Sequence, residues 1–255
     1  MTAQLILASR SPRRRRLLAH LGLPFRVVIP QVEEDMAPAA TGRPEELAEA
    51  LALAKAEAVA SEEAEGIIIA ADTIVVDGDT ILGKPADSSE AAAMLRRLRG
   101  KTHRVITALA VVDAGQLAFR GRRPPPQGGG IDATAFSAIR RGGVRMADRL
   151  WSGKSLEVPP ALADHVITSV RMRPYSDAEI AAYVARGDPL DKAGAYAIQD
   201  EAFHPVASYD GCYCNVVGLP LKALVILLGR AGLDITPDSF EALPPECARC
   251  SIVVE

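Results

Sequence analysis

Aromatic side chains are scarce in this sequence, with five Phe, five Tyr and one Trp in 255 residues. That argues against a base-stacking platform as its organising feature. Long apolar runs are missing too: none approaches the roughly 18 residues that span a bilayer, so no membrane partner is expected. The opening MTAQLILASRSPRRRR puts its charges after a short apolar stretch, the reverse of a secretory leader. Charge of one sign is lacking. The net charge is −3 and the isoelectric point about 5.9, without the basic footprint of a nucleic-acid binder. Cysteine is limited to four residues. The chain therefore reads as cytoplasmic, with cysteines as thiols or ligands before disulfides. G-x-S-x-G and the phosphate loop ending in Gly-Lys-Ser/Thr are both absent. His20, His103, His165 and His204 show no metal spacing and read as structural or surface residues.

What remains is an ordinary globular composition, 49% hydrophobic and 24% charged. Gln4–Ala8 is a short apolar strand. Ser11 and Pro12 then supply an N-cap and a first helical residue for a helix reaching Gly22. Residues 24–30 suggest a second strand, followed by an acidic turn, VEED. Pro44 to Glu65 reads as a helix with Leu47, Leu51, Ala54 and Ala58 on its apolar face. Ile67–Ala71 is a buried strand running through Asp72 into TIVV, and the Asp77-Gly78 turn makes a hairpin with TIL. Asp87-x-x-Glu90 and Ser176-x-x-Glu179 are capping signatures for two more helices. His103–Val112 is another strand, and Leu219–Leu228 a last helix. Strands alternating with helices predict an α/β fold.

Residues 121–164 break the rhythm. GRRPPPQGGG cannot form a regular element, the stretch to about Asp164 reads as irregular, and a helix is possible near 132–141. Residues 120–155 hold eight Lys and Arg against two Asp, and the lone Trp151. We divide the chain into a body, 1–120 and 165–230, a basic insertion, 121–164, and a cysteine-bearing tail, 231–255.

Four features carry chemistry. A strand runs through ASRSPRRRR into a helix, whose free N–H groups suit phosphate. Arginines at 13–16 oppose the helix dipole unless an anion sits among them. Asp72 is a carboxylate inside an apolar strand, costly to bury unless paired, hydrogen-bonded or metal-bound. Glu33, Glu34 and Asp35 offer partner carboxylates, and carboxylates near a polyphosphate suit Mg²⁺. Lys55, Lys84 and Lys192 are ordinary singly; together with Arg13 and Arg14 they suit a triphosphate. Finally, Cys212-x-Cys214 and Cys247-x-x-Cys250 could hold structural zinc. A disulfide within C-x-x-C and four plain thiols are the other readings.

ASRSPRRRRLLAHLG, VEED, LALAKA, AADTIVV, GKPAD, LRGKTHRVITALAVV, DKAGAYAIQ and NVVGLPL follow in that order. In this the chain resembles the Maf family of nucleoside triphosphate pyrophosphatases, over about 2–120 and 165–230. The resemblance implies a central twisted mixed β-sheet flanked by helices, in two lobes with an active-site cleft between them. It implies cleavage of a nucleoside triphosphate to monophosphate and pyrophosphate with a divalent cation, Mg²⁺ or Mn²⁺. It further implies Asp72 as proton acceptor, with Glu34 and Asp72 at the metal. Ser9, Arg13, Arg14, Lys55, Lys84 and Lys192 match the phosphate-binding positions. Arg13, Thr73 and Gln199 occupy positions tied to the base and look like the dTTP/UTP subtype. A homodimer is implied by the resemblance alone. The alternatives are the same reaction on a modified or methylated purine nucleotide, and a nucleotide-binding regulator of septum formation.

Overall fold

The computed structural model describes residues 4–31, 43–121, 161–233, 235, 244–248 and 250. The helix expected near 132–141, Trp151 and most of the 121–164 stretch lie outside the described residues, as do Glu33, Glu34 and Asp35.

Among the described residues seven strands build one mixed sheet: β1 (Leu5–Ala8), β2 (Phe25–Val28), β3 (Ile67–Asp77), β4 (Thr80–Leu82), β5 (Thr102–Asp113), β6 (Ala161–Met172) and β7 (Val206–Asp210). Their order is β2-β1-β3-β5-β6-β7, with β4 paired to β3. The pairings of β1 with β2 and β3 are parallel, and the rest antiparallel. The stretch expected to stay irregular to about Asp164 is corrected at its end. Ala161 already pairs with Val112 on β5, so β6 is strand from residue 161. Its many half-buried positions gave no continuous apolar run to read.

The helices are α1 (Pro12–Ala19), α2 (Pro44–Ala60), α3 (Ser88–Leu98), α4 (Ala114–Gly121), α5 (Asp177–Ala185), α6 (Tyr213–Val217), α7 (Leu221–Arg230) and α8 (Pro245–Ala248). Their starts follow local chemistry. Ser11 caps α1 by accepting from the Arg14 N–H, with Pro12 in the first turn. Ser176 and Glu179 form the reciprocal capping box of α5. Asp87 accepts from the Glu90 N–H at 2.8 Å, while the Glu90 carboxylate reaches one residue further back, to the Ala86 N–H. Among the described residues no helix is long and apolar enough to cross a membrane.

The apolar face expected on α2 needs correction. The buried residues are Ala48, Ala52, Ala56, Val59 and Ala60, rather than Leu47, Leu51, Ala54 and Ala58. Small side chains let the helix lie close on the sheet, and the leucines fall to its half-buried flanks.

The sheet's two faces explain the cleft. One face carries Ile6, Ala8, Ile68, Ala70, Ala108 and Ala110 against α2. On the other, Leu5, Leu7, Ile67, Ile69 and Leu109 pack with α1 and α7. Further along that same face, Val75 and Val105 join a third cluster with α3 and α5. Between these two clusters lie Thr73 and Thr107, paired across β3 and β5. The long strands thus run through two apolar lobes separated by a polar interval.

Candidate active site

The interval coincides with a gap in the sheet. β1 pairs with β3 only as far as Ala8 opposite Ala70, and β4 joins the same edge only from Val75. Among the described residues, therefore, no strand pairs with Ala71 to Ile74 on that side. The chain leaves β1 there and turns into α1, opening a crevice at a strand carboxyl end, the usual ligand position in such sheets.

The crevice is a cavity of about 370 Å³, within the usual range for small-ligand sites. Ser9, Arg13, Arg14, Lys55, Asp72, Thr73, Lys84, Lys192 and Gln199 all line it. The structure thus brings together every described residue that the sequence singled out for substrate; Glu34 lies outside the described residues. Arg10 adds a further cation and Asp191 a second carboxylate. Apolar walls come from Val75, Val105, Val216 and Val217.

Asp72 is 9% exposed. Its Oδ1 accepts from the Lys55 ammonium on α2 at 2.5 Å. The buried carboxylate is thus paired, as its cost requires, and Lys55 fixes its orientation at the edge of the gap.

The arginine run divides in two. Arg15 and Arg16 are exposed, while Arg13 and Arg14 turn into the cleft. Arg14 donates from Nε to the Gly218 carbonyl at 2.8 Å and from its terminal nitrogen to Thr73 Oγ1 at 3.0 Å. The Thr107 hydroxyl donates to the Asn215 carbonyl at 2.8 Å. Its single proton is then used, so Thr73 is the donor in the 2.9 Å contact between the two threonines. Asn215, fully buried, donates to the Val105 carbonyl at 3.0 Å and to Thr168 Oγ1 at 2.9 Å. This network forms the cleft floor and ties α6 to β3, β5 and β6.

Arg13 donates to Asp191 Oδ2 at 2.9 Å, and Lys192 donates to Oδ1 at 2.6 Å. Burial pulls the Asp191 carboxyl up, but hydrogen bonds from Lys192 and Arg13 prevail and hold it below the usual carboxylate range. Asp191 was not singled out from the sequence, although it stands directly before Lys192. The next turn is tightly built. Gly194 has φ +68°, its N–H donates to the Gly83 carbonyl at 3.0 Å, and a Cβ there would meet Val75 at 3.0 Å. Glycine is needed at this contact, which joins the Lys84 and Lys192 loops across the cleft.

His103 Nε2 meets the Tyr196 hydroxyl at 2.7 Å beside the cleft. Burial pushes the His103 ring down to about 4, against the pull of Asp77. Outside the cleft, the His165 Nδ1 meets Glu49 Oε1 at 2.7 Å. With Asp164 these form a grouping of possible metal ligands among the described residues, which sequence spacing did not reveal because the three residues come from α2 and β6.

Two of the cysteine readings are corrected, four plain thiols and a disulfide within C-x-x-C. Cys214 is bonded to Cys247, across two segments, while Cys212 and Cys250 remain thiols. The tail packs on α6, which puts the partner of Cys247 there and not three residues away.

The sequence matches the family described as Maf-like protein over residues 4–123 and 145–231. The gap in that match falls inside 121–164, and the tail follows its end. A dTTP/UTP pyrophosphatase of Thermomicrobium roseum is 43% identical over 248 residues, covering 97% of this chain and 93% of the relative. One from Symbiobacterium thermophilum is 40% identical, covering 91% and 96%. One from Dehalococcoides mccartyi is 38% identical, covering 98% and 92%. Matched across both lobes of the cleft and at these identities to full-length relatives, the chain belongs to the Maf family.

Proposed function

We propose that this chain is a nucleoside triphosphate pyrophosphatase acting on dTTP and UTP, with monophosphate and pyrophosphate as products. The observation that carries the reading is the paired carboxylate of Asp72 at the sheet gap, in a cavity whose other charges are mostly cations. Phosphoryl chemistry asks chiefly for positioning and charge neutralisation. Arg13, Lys84 and Lys192 supply neutralisation along one side, and the α1 N-terminus with Ser9 supplies N–H and hydroxyl donors. Asp72 accepts a proton from the attacking water as the α–β anhydride opens. The Thr73 floor and Gln199 face the base. The Gln199 amide carries both donor and acceptor, as the carbonyl and N–H edge of a pyrimidine requires. The names of the relatives support this choice of base.

The family resemblance adds a divalent cation. Asp72 offers a hard oxygen ligand beside the triphosphate site, and Mg²⁺ is commonly held by one or two carboxylates together with phosphate oxygens. Asp72 fits as one ligand of such an ion, and the resemblance adds Glu34, which lies outside the described residues, as the second carboxylate. When bound, such an ion neutralises phosphate charge and polarises phosphoryl oxygens.

A nucleotide panel with pyrophosphate detection, run with and without Mg²⁺ or Mn²⁺, tests the reading. Metal-dependent release from dTTP and UTP above all other nucleotides is expected. Preference for a purine nucleotide would overturn the base assignment, and no pyrophosphate from any nucleotide would overturn the activity.

A further inference from the structure

All four cysteines of the chain meet behind the cleft. Cys212 caps α6 and Cys214 lies within it, while Cys247 lies in α8 and Cys250 follows. None is more than 5% exposed, and all four belong to one apolar cluster. The contacts run between the two segments. Cys214 is bonded to Cys247, with Cα atoms 6.0 Å apart, and the Cys212 thiol is hydrogen-bonded to Cys250. Each motif therefore gives one sulfur to each of two neighbouring pairs.

Both motifs are held in place by their backbones. The Cys212 N–H donates to Thr168 Oγ1 at 3.0 Å, and the same hydroxyl lies 3.2 Å from the Cys212 carbonyl. Gly211, at φ +123°, allows this approach, since a Cβ there would meet Thr168 Oγ1 at 2.9 Å. On the tail, the Cys250 N–H closes a turn on the Cys247 carbonyl at 3.1 Å. Lys222 donates to the Cys250 carbonyl at 2.8 Å.

We propose that the reduced chain binds one Zn²⁺ between Cys212, Cys214, Cys247 and Cys250, as a structural site clipping the tail to α6. Four sulfurs in two short-spaced pairs are the closed tetrahedral ligand set that structural zinc takes. A clasp made by disulfide alone needs two cysteines and leaves the second pair without a role. The Lys222 ammonium stands where it offsets the net negative charge of a four-thiolate zinc.

The chemistry balances. A thiol reductant gives two electrons and two protons to the Cys214–Cys247 bond, yielding two thiols and its own disulfide. Zn²⁺ then binds four thiolates as four thiol protons leave. The consequence reaches the cleft, because α6 supplies Val216 and Val217 to its wall.

The full chain, purified with thiol reductant and Zn²⁺ and then dialysed, tests this. About one zinc per chain is expected, with thiols that react only after a chelator removes the metal. Replacement by Co²⁺ is expected to give the spectrum of a tetrahedral four-thiolate centre, a readout that needs no variant. The Cys247→Ser/Cys250→Ser double variant is expected to lose the metal and to melt earlier, and chelated wild type is expected to match it. Four freely reactive thiols with no retained zinc would overturn the proposal. So would a Cys214–Cys247 disulfide that survives the reductant, or a Co²⁺ spectrum without thiolate bands. Zinc retained equally by the double variant would also overturn it, by placing the ion elsewhere, such as at Glu49, Asp164 and His165.

Discussion

Asp72 was the most legible residue of the site, because a carboxylate amid IIIAA and TIVV has to be explained. Its environment was less legible: Lys55 lies on α2, and only the fold brings it to 2.5 Å. If Asp72 is the proton acceptor, Asp72→Asn should lower kcat by roughly 10²- to 10⁴-fold. Steady-state turnover of dTTP and UTP measures this, and near-normal kcat would remove the assignment. Asp191 was not legible, since an acid among cleft cations has no sequence signature. His103 makes a prediction of a different kind. Its Nδ1 has no hydrogen-bond partner among the described residues, so protonation there gains no compensating bond. The folded ring titrates at about 4, against 6.5 for the ordinary ring. Above pH 6.5 both states are neutral and His103 adds no pH dependence. Between 6.5 and about 4 the unfolded chain takes up a proton that the folded chain refuses, so stability falls as pH falls. The full effect is roughly 3 kcal/mol. Denaturant unfolding of wild type and His103→Gln across that range isolates it: the wild type should lose more stability, and parallel curves would contradict the assignment.

At the scale of elements, the sequence read well where a strand was uniformly apolar or a helix carried its own cap. β1, β3, β5, α1 and α5 are of this kind. It read poorly where tertiary context decides. β7 is VASYD with four of its five residues exposed, and α6 has only five residues. Neither carries a period long enough to recognise. The face of α2 was misread for a related reason. Leucines attract a hydrophobic assignment, but the sheet selects alanines because it lies close. That closeness brings Lys55, next to Ala56, within reach of Asp72. Ala52 is fully buried, so Ala52→Leu overpacks the interface and should cost about 1–3 kcal/mol. Leu51→Ala, on a half-buried flank, should cost less. Thermal melts of the two variants compare the faces directly, and a larger loss for Leu51→Ala would return the core to the leucine stripe. Because α2 positions Lys55, Ala52→Leu should also lower kcat, an effect that Leu51→Ala should not share.

For the whole molecule, the charge of −3 averages unlike parts: a basic stretch between β5 and β6, and an acidic body. We propose that residues 122–160 stand outside the catalytic unit. β5 and β6 pair from Val112 opposite Ala161 to Thr102 opposite Arg171. Adjacent antiparallel strands need only a short connection, so the ladder does not depend on a long one. Among the described residues, β6 gives nothing to the cleft lining, and Asp191 and Lys192 are the first after Gly121 to contribute. The family match supports a narrower boundary, since it resumes at 145. Two excisions separate these. Removing 124–144 should leave dTTP turnover within about threefold of wild type, on the ordinary tolerance of surface connections to change in length. Replacing 122–160 by a flexible linker that spans from the end of α4 to Ala161 should do the same. If the longer excision alone abolishes turnover while the protein still melts cooperatively, residues 145–160 belong to the catalytic body. If the shorter one also does so, the basic stretch is part of the enzyme.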